Sequence, residues 1–459
     1  MKRDVRRRAA RVTSFVAAGL IGGAVALPAG ATTMVDAMRM AISHSPEIGN
    51  VAHNREAIEH ELRQARGLYL PQLDVAAGIG KERTRDVNTR GNPNDANGSL
   101  TLTRQESSLT VQQRVFDGFE VDSTVAREKA RVLSAARRVF ENAEFTGLDA
   151  IGAYLEVLRQ RELVRLAEEN VQVHQVILGF LREQLSGGVG SQADVAQTEA
   201  RLARSRSTLS QTFNSLRDAE SSYARIVGQY PDDLSLPTFP ANVLPPDLDT
   251  AIDSVWADNP TFKIFDADVR AAEAEVDISE VPFYPAITIE GESEYNRNRD
   301  GIESGEFNNQ IMLRLRWNLF RGGIDSAARQ EAVSQVQQSK AIRHTALLQA
   351  EEEMRRSWFA LDANRTQVEE SAIDVDFQTE TRDAYRQQFE VGQRTLLDVL
   401  DAENELFVAK GQLVTSQTNV ELASYRILAL VGNLLDTMGV QAPDQASPVI
   451  PSFGEQLFD

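Results

Sequence analysis

The sequence predicts a mixed α and β chain made of two copies of one unit, each copy setting a strand hairpin between long helices. Two observations carry this. From Phe116 onward the first half matches the second at a constant offset of 204: Phe116 with Phe320, Gln184 with Gln388, Gly188 with Gly392, Asp194 with Asp398, Glu199 with Glu403 and Gly228 with Gly432. Upstream the offset is 214, pairing Ala37 with Ala251, Pro46 with Pro260 and Pro71 with Pro285, so the first copy should hold a longer hairpin loop. A period this long marks a duplicated half-domain rather than a short-repeat solenoid. The second observation is the hydrophobic period, which changes from helical to alternating and back within each copy.

Residues 1–31 are expected to be a signal peptide. Lys2, Arg3, Arg6, Arg7, Arg8 and Arg11 form a basic start, residues 15–27 a short apolar core, and Ala29-Gly30-Ala31 a small-residue cleavage site before Thr32. The apolar run is short for a bilayer span. The leader carries net +5, so its removal takes the formal charge from −19 to −24. So acidic a chain is unsuited to nucleic acid. With no cysteine, a disulfide framework, a thiolate metal site and a lipidated N-terminal cysteine are all excluded. No later stretch has the ~18 apolar residues of a spanning helix.

The first repeat is read as 32–228, a linker as 229–247, the second repeat as 248–432 and a tail as 433–459. Each repeat opens with a helical stretch (35–68; 248–280) that ends at Tyr69-Leu70-Pro71 or Phe283-Tyr284-Pro285, where proline stops the helix and suits a strand start. A hairpin follows (71–116; 285–320). Leu73, Val75, Ala77 and Ile79 alternate with polar or small residues, as do Ile311, Leu313, Leu315, Trp317 and Leu319. Next comes a proline-free long helix (121–185; 324–389), roughly 100 Å at 1.5 Å per residue, which must pack side by side with others. A return helix closes each copy (192–227; 396–431). The tail is expected to wrap the surface or be mobile.

Four strands with one apolar and one polar face suit either a soluble sandwich or part of a membrane barrel. The export signal and the lack of another anchor favour the barrel. A barrel needs at least eight strands, so several chains must combine. The five histidines form no ligand cluster with carboxylates and are expected at the surface. No Gly-x-Ser-x-Gly or phosphate loop stands between strand and helix, so no active site and no cofactor is expected.

Val391-Gly392-Gln393-Arg394-Thr395-Leu396-Leu397-Asp398-Val399-Leu400-Asp401-Ala402 sits at the second helix reversal. Gly392 suits a helix stop and Thr395 a cap, and Asp398 and Asp401 share a face three residues apart. With the signal peptide, the duplication, the hairpins and Phe320-Arg321-Gly322-Gly323, this motif resembles the TolC family of outer-membrane channel proteins over essentially the whole mature chain. The resemblance implies a homotrimer with a 12-stranded outer-membrane β-barrel, four strands per chain, continued by a long periplasmic α-helical barrel. Substrate, a protein or small molecule, would leave through the shared duct. An inner-membrane ABC or proton-driven transporter would supply it through a periplasmic adaptor (membrane fusion) protein.

The cysteine-free leader resembles the non-lipidated, type I secretion side of the family. A multidrug-efflux outlet is the neighbouring alternative, and a non-pore periplasmic coiled-coil scaffold the alternative of another class. By resemblance, Asp398 and Asp401 ring the periplasmic entrance in acid. Arg394 and Asp194 form a link that holds it shut, and Gly188, Val189, Val391 and Gly392 are helix tips on which an adaptor docks. Phe389 stands where a tyrosine often adds a closing bond, and Gln197, the first-repeat counterpart of Asp401, leaves the acid pair undoubled.

Overall fold

A computed structural model describes residues 31–87, 89–90, 98–240, 243–450 and 452. The leader, part of the first hairpin loop and the end of the tail lie outside the described residues. Helices α1 (Met34–His44) and α2 (Pro46–Gly67) lead into strands β1 (Gln72–Thr84) and β2 (Leu100–Phe116). Helices α3 (Glu120–Ser186) and α4 (Gln192–Val227) complete the first copy. The second repeats the order with α5 (Leu248–Asp258), α6 (Pro260–Glu280), β3 (Ala286–Arg297), β4 (Gly305–Arg316), α7 (Ile324–Glu390) and α8 (Leu396–Val431); a short α9 (Leu434–Thr437) follows.

The opening helical stretch of each copy is broken in two. Ser45 and Asn259 are extended, each before a proline, and each side chain caps the new helix by accepting the N–H of Ile48 or Phe262. Proline at the first helical position has no N–H to lose there. Asn259 also donates to the Leu430 carbonyl at 2.8 Å, fixing the break against the end of α8. The second hairpin is shorter than its alternation suggested: β4 ends at Arg316, and Trp317 leaves the ladder to donate from Nε1 to the Phe283 carbonyl at 3.2 Å. Most of the extra residues of the first hairpin lie in its longer loop (85–99 against 298–304).

The four strands form one antiparallel sheet in the order β1-β2-β3-β4. Pairing of β2 with β3 joins the two hairpins, a junction that repeat matching alone does not disclose. The register aligns like with like. One face stacks rows such as Leu73–Val111–Gly291–Ile311, and the other rows such as Asp74–Thr110–Glu292–Gln310. Val75, Ile79, Ile311 and Leu313 are exposed in the single chain. An apolar sheet face open on this scale marks a surface that meets lipid or protein.

The helices lie side by side, in the order α2-α3-α6-α7 toward the sheet and α4-α3-α8-α7 toward the tips. Their central core gathers Met38, Ile151, Tyr154, Tyr223, Tyr425, Leu428 and Leu434. Tyr154 donates into the carbonyls of Thr32 (2.8 Å) and Ser235 (2.6 Å), tying the segment before α1 to the inter-repeat linker. The tail runs back over α2: Ala446 is buried, and Arg55 donates to the Ser447 carbonyl at 3.4 Å. Among the described residues, no helix is long and apolar enough to cross a membrane.

Candidate functional site

The site is the pair of helix reversals farthest from the sheet. Both depend on glycine. Gly188 and Gly392 take φ of 79° and 76°, a region costly for side chains, and the amides of Gly190 and Gln393 reach back to the carbonyls of Gln184 (3.0 Å) and Gln388 (2.8 Å). A Cβ on Gly190 would lie 2.5 Å from the Leu185 nitrogen, so the first turn admits no other residue without moving. Val189 and Val391 stand at the apices, 82% and 68% exposed.

The chain restarts as helix through capping side chains. Ser191 accepts the Ala193 amide. Thr395 and Asp398 form a reciprocal capping box, each side chain accepting the other's backbone N–H. Hydrogen bonds from the Thr395 side chain and backbone, then the Arg394 guanidinium, hold the Asp398 carboxyl below the usual range. It is therefore ionised at neutral pH.

Arg394 is engaged within its own tip. Its Nε donates to Gln388 at 3.0 Å, its guanidinium lies 4.1 Å from the Tyr385 ring centroid, and Nη1 stands 3.8 Å from Asp398. Asp194 sits half-buried in the first turn of α4. The geometry within one chain brings Arg394 to Asp398, not to Asp194. A link to Asp194 would have to run between copies. Asp401 is paired with Arg201 of α4 at 2.6 Å, which ties the two reversals together. Beneath them, Val171, Leu178 and Leu181 of α3, Val195 and Leu202 of α4, and Leu396 and Leu400 of α8 form a small apolar cluster. Phe389 packs on it, its ring 6.3 Å from Phe180 and edge-on.

Sequence reasoning missed three participants. Arg201 carries the tie to Asp401. Arg382 and Glu403 pair at 3.4 Å, with Glu403 buried and its Oε1 without a protein hydrogen bond. Both line a groove of about 380 Å³ between α3, α7 and α8, along with Val173, Ile177, Arg386 and Phe407. The signal for Glu403 was its match to Glu199, a charge kept inside both return helices; Glu199 pairs with Arg182 at 2.6 Å. One histidine reading is corrected: His174 is buried, its Nδ1 2.8 Å from the Asn170 carbonyl, because a local acceptor satisfies the ring inside the helix layer.

A sheet apolar on one face and acidic on the other, continued by helices of roughly 100 Å, defines the subunit of a multichain membrane channel with a long helical extension. The family model described as outer membrane efflux protein matches residues 37–229 and 251–433, one match per repeat. The chain belongs to this family. It is similar to outer membrane efflux protein BepC of Brucella suis, 26% identical over 379 residues, 82% of this chain and 80% of the relative. It is also similar to the proteases secretion protein PrtF of Dickeya chrysanthemi, 25% identical over 472 residues, 98% of each. Among solved structures, the outer membrane protein VceC of Vibrio cholerae superposes with TM-score 0.72 at 19% identity over 89% of this chain and 97% of that one. The Campylobacter jejuni CmeC channel gives 0.75 at 13% identity over 90% and 87%.

The chain is thus a TolC-family outer-membrane channel protein, an exit duct for secretion or efflux with a large periplasmic part. Its four strands form one sheet, and the fold is consistent with three such sheets closing a 12-stranded trimeric barrel. Its family is one of transport proteins, whose members serve systems that include an adaptor and an inner-membrane transporter.

Proposed function

We propose that this protein is the passive, non-enzymatic outlet of a type I secretion-like system. Three copies would dock an adaptor at their helix tips and receive an exported protein from an inner-membrane transporter. The tip geometry supports this reading: an arginine, a capping carboxylate and a second carboxylate stand within two turns at the helix reversal. In three copies, Asp398 and Asp401 make six carboxylates at a constriction, a ring that draws cations and repels anions. Arg394, which rests on Tyr385 and Gln388 within its own chain, would reach Asp194 of the next copy and keep the tips together. Gly188, Val189, Val391 and Gly392 present the apices an adaptor would meet, and the groove below them extends that surface.

The secretion branch is favoured over drug efflux by the cysteine-free chain and by a relative, matched end to end, whose name is that of a protease secretion protein. Efflux is kept as the second reading because BepC carries that name. A scaffold without a pore is disfavoured by the two-faced sheet.

Planar-bilayer recording of the purified mature protein tests the gate. Small, cation-preferring steps are expected. Arg394→Ser should raise the conductance, and Asp398→Asn with Asp401→Asn should weaken cation preference and blockade by multivalent cations. Unchanged conductance and selectivity in inserted, folded variants would remove these residues from the gate.

A further inference from the structure

The apolar face of the sheet changes character at its hairpin end. The rows Leu73–Val111–Gly291–Ile311 and Ala77–Ser107–Tyr295–Phe307 are followed by Ile79–Gln105–Arg297–Gly305. Beyond these, Lys81 stands opposite Thr103 and Arg83 opposite Thr101 on the same face. Among the paired strand positions of this face, Lys81, Arg83 and Arg297 are the charged ones. All three are cations, all are exposed, and all lie at the end away from the helices.

The opposite face treats its arginines differently. Arg104 is shared between Glu82 (3.1 Å) and Glu106 (2.6 Å), and Arg314 is paired with Glu290. Those pairs neutralise one another in a water-filled interior. On the apolar face Lys81 and Arg297 have no carboxylate beside them in the ladder, and Arg83 donates to the Ser99 hydroxyl at 2.9 Å.

Height decides what they meet. From Ile287 to Arg297 the strand climbs roughly 33 Å, or about 25 Å along the membrane normal at the usual barrel tilt. That is the thickness of the apolar band, so the three cations stand at its outer boundary, at the headgroups of the external leaflet. A cation facing hydrocarbon is unfavourable, whereas one among anionic headgroups is attracted to them. A guanidinium fork also matches phosphate geometry.

We propose that Lys81, Arg83 and Arg297 form a lipid-facing site for the phosphate groups of the outer leaflet's anionic glycolipid, one site on each subunit. The site rests on the barrel orientation and not on the gate, so failure of either leaves the other standing. Native mass spectrometry of the purified full-length trimer with added bisphosphorylated lipid A reads it directly. The wild type should retain this lipid more than about tenfold over its enzymatically dephosphorylated form. Lys81→Gln/Arg83→Gln/Arg297→Gln should lose the preference, and Lys81→Arg/Arg83→Lys/Arg297→Lys should keep it, each checked as a heat-modifiable trimer. Equal retention of the dephosphorylated lipid by wild type would overturn the site even if the glutamine variant failed to fold. So would undiminished retention by a folded glutamine variant. Equal retention of phosphatidylglycerol, or displacement by inorganic phosphate, would overturn the glycolipid assignment in favour of general anion attraction.

Discussion

Glu144 shows how one buried residue sets a pH dependence. Its carboxylate, on α3, accepts the N–H groups of Leu434 (3.1 Å) and Leu435 (3.3 Å) and so caps the short α9 against the core. Burial, opposed by those two amides and reinforced by Asp436, pushes its carboxyl from near 4.5 up to about 7. A carboxyl that binds its proton more tightly folded than unfolded stabilises the protein at low pH. That contribution is lost as the pH climbs from about 4.5 through about 7, and amounts to roughly 3 kcal/mol at most. Glu144→Gln should flatten the melting temperature between pH 5 and 7, where the wild type declines. A wild-type profile equally flat over that range would refute the assignment. Nothing in the sequence marked Glu144, since a glutamate in a charged 67-residue helix reads as solvated until the chain's end folds over it. The cap at Thr395 was different: the sequence marks that residue, and in the structure Asp398 completes a capping box with it.

At the scale of elements, what was legible depended on whether the determinant is local. Reversal glycines, caps and proline-free runs are local, so the long and return helices could be read directly. The breaks before Pro46 and Pro260 were signalled by Ser45 and Asn259, residues that cap, yet the helical period on both sides obscured them. The pairing of β2 with β3, and of Arg201 with Asp401, joins residues far apart in sequence, and one-dimensional patterning does not carry such contacts. The tip cluster is of this second kind. Leu400 is fully buried where α3, α4 and α8 meet. Leu400→Ala should cost about 2–5 kcal/mol locally. Because the cluster joins the two reversals, the loss should appear as faster amide exchange in 171–202 and 389–406 while the central core keeps its protection. Uniform exchange changes, or none, would mean the two reversals are not coupled there.

For the whole molecule, the unequal fates of the two long helices are the informative comparison. Both have 67 residues, but α3, flanked by α2 and α6 toward the sheet and by α4 and α8 toward the tips, buries residues along its whole length, whereas α7 at the layer's edge buries few. The exposed side of α7 includes Ile342, Leu348, Phe359, Ile373 and Phe377. A helix this long cannot leave such a stripe in water. The same incompleteness holds for the sheet, whose β1 and β4 edges are unpaired within one chain. Closing the sheet edges between three copies would also carry the α7 edge of each chain against the edge of the next that α2 and α4 form, which would make barrel closure and helix burial one event. Phe359→Glu with Phe377→Glu should therefore weaken the trimer without touching the strands. In detergent, the double variant should show a trimer that dissociates at lower temperature, or monomers, by light scattering, with strand content by circular dichroism retained. A trimer as heat-resistant as wild type would place these phenylalanines outside the subunit interface and leave the sheet edges as the main seam between copies.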